Sequence, residues 1–434
     1  MAKRSLSAKA WVVSAPLGKG IDIVAQACRP LAGDIGVIRA DRHPGNSRRE
    51  RALWAKLQER PSFLASLGTI PVVGQRLKKA TERFIHRLPS RYAQGGHQGW
   101  NRRLVEFYYY LQNQDLGKEF IQELARNPLP LITSSPVIAF SAEVHAYPGP
   151  IILVSHAADP SRTWASLEPR QTRIQHIVAT QMAEDRLKAY GVPATNIHHF
   201  GLPLAESAVS SKGLLQDVER RVHALDPGHI FRPQTKRHAT ARPLTLGLIV
   251  ENDWRTTELL RLFDGTSRAV RAGELVIHLF TGTDTARARS IEALVRNKTL
   301  HRHLGSSLVV HTHDNETQAF ESFAQALPDM DLLWTTPNPW VFYAGLGIPV
   351  IVQPPVGGQE EARYAWVRGV QAGLPPLELQ TAGDWLLDWK RSGGLARLAW
   401  NGYGSAPSMG LTRLKQLIEG KHPHDEKLHA TIPE

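Results

Sequence analysis

Two series of short, uninterrupted aliphatic runs, each run followed by a stretch of helical period, constrain this chain more than any other feature. In the first series the runs are AWVVSAP (10–16), DIGVIRA (34–40), LPLITSSP (129–136), IILVSH (151–156), IQHIVAT (174–180) and NIHHFG (196–201). Helical periods cover 20–31, 116–125 and 182–191 between them. A strand with one wet face alternates polar and apolar residues; these runs are apolar at both parities. They therefore read as strands of a parallel sheet whose two faces are covered by crossover helices. After a helix over 213–225 and a stretch rich in Pro, His and basic residues (226–243), the alternation restarts. Its strands are LTLGLIV (244–250), ELVIHLF (274–280), SLVVHTH (307–313), MDLLWTT (330–336) and IPVIVQPP (348–355). Helices are expected over 256–265, 286–297, 316–327, 339–347 and 358–373. The fold class is thus α/β, with two doubly wound, Rossmann-like domains. We expect an N-terminal domain over 1–225, a linker over 226–243, a second domain over 244–380, and C-terminal helices and a tail over 381–434. In open sheets of this kind, ligands bind outside the carboxyl ends of the strands.

The 434 residues suit two such domains. A single cysteine, Cys28, excludes an intramolecular disulfide framework and a cysteine-based zinc finger. No apolar run approaches the roughly 20 residues that cross a bilayer. The opening MAKRSLSAKAWVVSAP reads as the first strand rather than a signal peptide, so the expected setting is the reducing cytosol. Charge is distributed unevenly: residues 1–105 hold 20 of the 52 Lys and Arg but only 6 of the 40 Asp and Glu. An excess so localised suggests a surface for phosphates, with plain solubility as the simpler alternative.

Candidate chemistry lies where glycines meet helix starts. The loop PLGKGID places Gly18 and Gly20 before a helix, where backbone N–H groups can approach an anion. It has neither the third glycine of a dinucleotide fingerprint nor the GK[ST] of a Walker loop, so an ordinary strand-to-helix turn also accounts for it. A stronger group is GIPVIVQPPVGGQEEARYAWV, where Gly357 and Gly358 open a helix with Gln359, Glu360 and Glu361 in its first turn. The amide and carboxylate there could grip sugar hydroxyls; equally, the carboxylate could serve its own helix dipole, worth under about 1 kcal/mol.

That segment is similar to the donor site of GT-B glycosyltransferases, in particular the group of monogalactosyldiacylglycerol synthase and the peptidoglycan lipid-intermediate N-acetylglucosaminyltransferase, which carry a "GLP, strand, PGQE" pattern. A second stretch, residues 151–204, resembles the last third of that group's N-terminal domain, with its Trp-bearing polar loop, its "YGV" helix end and its "G-x-P" strand end. The resemblance covers roughly residues 10–375. It implies two domains facing across a cleft, and a nucleotide-sugar donor held by Gly282, Thr283, Asn338, Gly357, Gly358, Gln359 and Glu360. It also implies an acceptor or phosphate loop at Gly18, Gly20 and Ser135. The chain departs from the group in two places. PWVFYAGLG lacks the carboxylate that holds the ribose, and PLGKGID lacks the histidine of the first loop.

Inverting sugar transfer needs a base for the acceptor hydroxyl and donors for the departing diphosphate. In SHAADPSRTW, His156 and Asp159 stand at a strand end; His156 is expected as the base, active near neutral pH, and Asp159 as its alternative or as a turn residue. His311 and His313 share a strand face but lack a third ligand, so no metal is expected, and no cofactor.

Within a basic insertion over 41–103, Phe84 and Leu88 lie on a helical apolar stripe flanked by Arg76, Lys79, Arg83 and Arg87. This is the pattern of an interfacial helix, or of an ordinary helix packed on its domain. The expected partners are a nucleotide-sugar donor, a lipid or lipid-linked acceptor and an anionic membrane surface at the inner face of the plasma membrane; nucleic acid is not expected. A nucleotide-sugar 2-epimerase and a catalytically degenerate adaptor on the same fold remain open as alternatives.

Overall fold

A computed structural model describes residues 8–67, 99–232, 242–250, 254–296 and 300–421; for 58–67 and 99–103 it describes the helical backbone alone. The substitutable face of the basic insertion (Arg76, Lys79, Arg83, Phe84, Arg87, Leu88) lies outside these residues. Among the described residues, no helix is long and apolar enough to cross a membrane.

The chain forms two units, and the first comprises Met1–Leu204, Val356–Arg363 and Met409–Asp425. Its elements begin with β1 (Trp11–Ser14), α1 (Lys19–Cys28), β2 (Ile38–Arg39), α2 (Arg48–Leu67), α3 (Gly99–Asn113) and α4 (Lys118–Leu124). There follow β3 (Leu131–Thr133), α5 (Pro136–Val144), β4 (Ile151–Val154), β5 (Gln175–Val178), α6 (Gln181–Ala189) and β6 (Ile197–His199). The six strands are all parallel, in the order β2-β1-β3-β4-β5-β6. The sheet grows outward from β1 to β2, then returns to the other side of β1 for β3. At that reversal the chains after β1 and β3 leave toward opposite faces of the sheet, which is where ligands of open α/β sheets bind. The apolar runs are buried as their parity requires: Ile151 to Val154 are all inaccessible, and Val13, Leu131, Leu153 and Val178 pack with Val137, Phe140 and Leu187 from the helices.

The second unit comprises Ala205–Pro355, Tyr364–Ser408 and Glu426–Glu434. It holds α7 (Leu214–Ala224), β7 (Leu244–Ile249), α8 (Thr256–Arg271), β8 (Leu275–Phe280), α9 (Thr285–Arg296), β9 (Leu308–His311), α10 (Glu316–Ala326) and β10 (Leu332–Thr335). A 3-10 stretch Pro339–Leu346, β11 (Val350–Val352), α11 (Gly358–Gly369), β12 (Gly373–Leu374), α12 (Ala382–Arg391), α13 (Gly394–Ser405) and α14 (Gly410–Ile418) complete the chain, the start of α11 and all of α14 belonging to the first unit. Strand order is β12-β11-β10-β7-β8-β9, all parallel, which is the dinucleotide-binding order with its reversal between β7 and β10. The expected doubly wound α/β class is therefore present in both units.

Three local expectations need revision. Residues 339–347 form a 3-10 rather than an α-helix: Pro339 opens it, the Asn338 side chain accepts the Trp340 N–H, and Gly347 ends it in the left-handed region. The helix expected over 358–373 stops at Gly369; Gln371 takes a φ of 53°, and the chain turns back so that Gly373 and Leu374 pair with Val350 and Ile351 as an edge strand. Helix α3 was not anticipated, since its VEFYYY run favours strand by propensity. It is fixed by tertiary packing through Val105, Tyr109 (5.6 Å from the Phe140 ring) and Gln112, whose amide donates to the Val137 carbonyl at 3.1 Å.

In the second unit a guanidinium replaces apolar packing at one point. Arg221, on α7 and 3% exposed, donates to the carbonyls of Met330 (2.7 Å), Leu346 (2.9 Å), Leu327 (3.2 Å), Pro328 and Gly347 (both 3.3 Å). Burial lowers its pKa to about 10, so it keeps its charge at neutral pH. Those carbonyls close the residues before β10 and the 3-10 stretch after it, satisfying acceptors that helix ends leave open.

One residue in the first unit is held against its preference. Ala146, exposed beyond the end of α5, has a φ of 51° and donates its N–H to the Glu143 carbonyl. For a residue with a Cβ the left-handed region costs about 1 kcal/mol or more. Ala146→Gly should therefore raise the unfolding free energy by roughly 0.5–1 kcal/mol, read as an increased midpoint in urea with an unchanged slope.

Candidate functional site

At the carboxyl edge of the first sheet, three strand ends bring together the loop after β1, the serines after β3 and the histidine after β4. Ser134 donates its hydroxyl proton to the Val154 carbonyl at 2.7 Å, and its oxygen lies 2.7 Å from His156 Nδ1. A hydroxyl has one proton, so toward the imidazole Ser134 can only accept; Nδ1 therefore carries the ring proton and Nε2 is the bare nitrogen. The ring rests edge-on against Trp164, centroids 5.0 Å apart, and its other edge lies over the start of α1. A Cβ at Gly20 would stand 2.6 Å from His156 Cδ2 and 2.7 Å from Nε2, so only glycine lets the ring take this place.

Residues 356–363, part of this same unit, meet the loop from His156 to Asp159 by its backbone. Arg363 Nε donates to the His156 carbonyl at 3.2 Å, and Gln359 Nε2 donates to the Asp159 carbonyl at 3.3 Å. Gln359 and Arg363 are four residues apart on α11 and so share a face. Glu360, in the same turn, accepts the Val356 N–H at 2.7 Å. Among the described residues, two buried polar atoms here lack a partner: Ser135 Oγ, at the first position before α5, and Gln359 Oε1.

Electrostatics change what His156 can do. Burial, and then the Arg363 guanidinium, push its pKa down to about 3. A base poised near neutrality was expected; the imidazole is instead neutral across the physiological range and weakly basic. Arg363 itself is lowered to about 10 by burial, with Glu360 opposing. Asp159 is 2% exposed and its two oxygens accept from Arg186 at 2.7 and 3.0 Å. That carboxylate holds the loop to α6 through both of its oxygens.

The remaining expected residues fall as follows. Gly18, with a φ of 137°, is exposed ahead of α1, and Gly357 and Gly358 are buried at the start of α11. Gly282, Thr283 and Asn338 belong to the second unit. Gly282 follows β8 with a φ of 64°, Thr283 donates to Glu316 at 3.1 Å, and Asn338 caps the 3-10 stretch. The structure thus groups Gly20, Ser135, His156, Asp159, Gln359 and Glu360 in one unit, apart from those three. His311 lies against His278, whose Nδ1 is 2.9 Å from its Nε2, and against the Phe280 ring, whose centroid is 4.6 Å away. Among the described residues no three His, Cys, Asp or Glu converge as metal ligands. Sequence reasoning missed Ser134, Arg363 and Arg186, and took Trp164 only as part of the loop pattern. Only Arg363 left a signal, its four-residue spacing from Gln359.

No family model matches the chain, and no curated protein matches it in sequence. Solved structures do resemble it. MurG of Acinetobacter baumannii is 13% identical with a TM-score of 0.49, over 95% of this chain and 99% of that one. The Staphylococcus aureus (S. aureus) MnaA–UDP complex is 10% identical with a TM-score of 0.46, over 96% and 99%. A putative UDP-N-acetylglucosamine 2-epimerase from Listeria monocytogenes is 14% identical with a TM-score of 0.45, over 74% and 83%.

With Ser134 able only to accept from its Nδ1, His156 should remain a neutral, Nδ1-protonated ring from pH 8 down to pH 5. Long-range nitrogen–proton correlation spectra of histidine-labelled protein read this directly; a ring that titrates between pH 6 and 7 would contradict the burial described here.

Proposed function

We propose that the chain is a glycosyltransferase that moves a sugar from a nucleotide-sugar donor to a lipid or lipid-linked acceptor. The observation that carries this reading is the pair of hydrogen bonds from Gln359 and Arg363 into the His156–Asp159 loop. They join the segment whose pattern resembles a donor site to a strand-end loop bearing a bare imidazole nitrogen. The unpartnered Ser135 Oγ and Gln359 Oε1 support it, since a buried polar atom without a partner costs about 1–3 kcal/mol until something satisfies it. In the proposed reaction His156 Nε2 accepts the hydrogen bond of the acceptor hydroxyl. Being weakly basic, it takes the proton late, as the bond from that oxygen to the anomeric carbon forms and the bond to the diphosphate breaks. The N–H groups at the starts of α1 and α5 would receive phosphate oxygens.

A nucleotide-binding protein without turnover is the second reading, favoured by the low basicity of His156 and by the lack of a carboxylate in residues 339–347. A thermal-shift panel of nucleoside diphosphates with a labelled-sugar transfer assay separates the two. One diphosphate at a hundred times its Kd should stabilise the protein by about 2.7 kcal/mol. Glu360→Ala and Gln359→Ala should lose that shift, and His156→Ala should retain it while turnover falls about a hundredfold or more. Stabilisation with no transfer leaves the binding reading; an epimerised nucleotide sugar with no acceptor consumed makes it an epimerase; no stabilisation by any diphosphate ends all three.

For the acceptor side, vesicle binding should rise with anionic lipid content and fall with salt. Phe84→Ser with Leu88→Ser, in a variant whose circular dichroism is unchanged, should weaken it. Binding insensitive to that pair would point to charge alone.

A further inference from the structure

Away from this site, one carboxyl group is buried at the junction of α2 with the start of α4. Glu50, 2% exposed, directs Oε1 to the N–H of Gly117 at 2.7 Å, while its Oε2 is buried with no partner among the described residues. Gly117 is fixed: its φ is 79°, and a Cβ there would stand 2.2 Å from Ser141 Oγ, which is itself tied to the Leu116 carbonyl. The donor cannot follow the carboxyl group if that group moves.

The charged groups around Glu50 are mostly adverse or already engaged. Glu119 and Asp115 repel its ionised form. Asp115 holds Lys118 at 3.0 Å and faces Arg49 at 3.8 Å, so neither cation is given to Glu50. His145 donates to the Leu116 carbonyl at 3.2 Å, and burial lowers its pKa. Glu123 faces His43 at 3.7 Å, and Asp41 holds Arg39 and Arg42. Burial first, and then the Glu119 and Asp115 carboxylates, raise the Glu50 pKa to about 7 against the Gly117 hydrogen bond. The helix it anchors is otherwise seated by Leu53, Trp54 and Leu57 and leads toward the basic segment.

We propose that Glu50 is a proton-operated latch: protonated, it holds the start of α2 on the turn at Gly117, and on losing its proton it weakens that hold, so the junction opens more often as pH rises. The sign follows from linkage. The open junction exposes the carboxyl to water and restores its ordinary value of 4.5, so the opened form binds the proton less tightly than the closed one. The opening constant then climbs roughly tenfold per pH unit between about 4.5 and about 7 and levels off above.

Hydrogen exchange of the full chain, read by mass spectrometry on peptides covering 48–57 and 114–121 and corrected for the pH dependence of chemical exchange, measures this constant. From pH 5 to pH 7.5 it should rise about 50-fold in wild type, with peptides over 275–280 as the unchanged reference. Glu50→Gln should abolish the slope. Glu119→Gln, at an exposed position, should keep the slope but move its upper limit to lower pH. A flat wild-type profile at the junction, or a Glu50→Gln protein with the wild-type slope, overturns the proposal. If Glu50→Gln fails to fold, the wild-type slope and its displacement in Glu119→Gln decide: no displacement overturns it.

Discussion

Strands apolar at both parities cannot tolerate water on either face, and the rest of the architecture depends on that. Ile151 to Val154 and Leu244 to Leu248 lie in sheets that must be roofed on both sides, which requires a crossover helix after nearly every strand. Such crossovers consume the polar backbone inside each sheet and leave unmatched groups only at strand ends and helix starts. Polar side chains accumulate there for the same reason: Ser134, Ser135, His156 and Asp159 all stand within five residues of a strand end in the first sheet. The chemistry is confined to an edge because the interior excludes it.

At that edge the imidazole is controlled by geometry more than by charge. Ser134, with a single proton already given to Val154, dictates the tautomer, and Gly20 provides the room that turns the bare nitrogen toward α1. A buried neutral histidine exchanges basicity for a fixed direction. Such a ring suits a hydrogen-bond acceptor aimed at one place, and it is a poor reservoir for protons. Asp159 shows the opposite allocation: both its oxygens accept from Arg186, and it anchors the loop from which the imidazole projects.

The sheets were legible because burial on both faces writes itself into consecutive residues. Helix α3 was not, since Phe107 to Tyr110 speak for strand and tertiary packing, including the contacts of Tyr109 and Gln112 with α5, decides otherwise. The edge strand at Gly373 was hidden by Gln371, a residue type that gives no notice of a left-handed turn. In the site, the glycines before α1 and α11 announced themselves, whereas Ser134 and Arg186 act through partners 22 and 27 residues distant. Contacts of that range carry no periodic trace, so the identity of His156 was visible and its protonation state was not.

The first unit is not a contiguous piece of chain: Val356–Arg363 and Met409–Asp425 are built into it alongside Met1–Leu204. α14 begins at Gly410, where any Cβ would press on the Leu202 carbonyl at 2.5 Å, and Gln359 and Arg363 supply donors to two of the unit's loop carbonyls. A gene fragment ending near residue 204 would therefore encode an unfinished body. Recombination that exchanged only one end of the gene would combine loops and returning segments of different ancestry, with carbonyls and guanidinium mismatched. The returning segments and the loops they serve must travel together for the donors of Gln359 and Arg363 to meet their carbonyls.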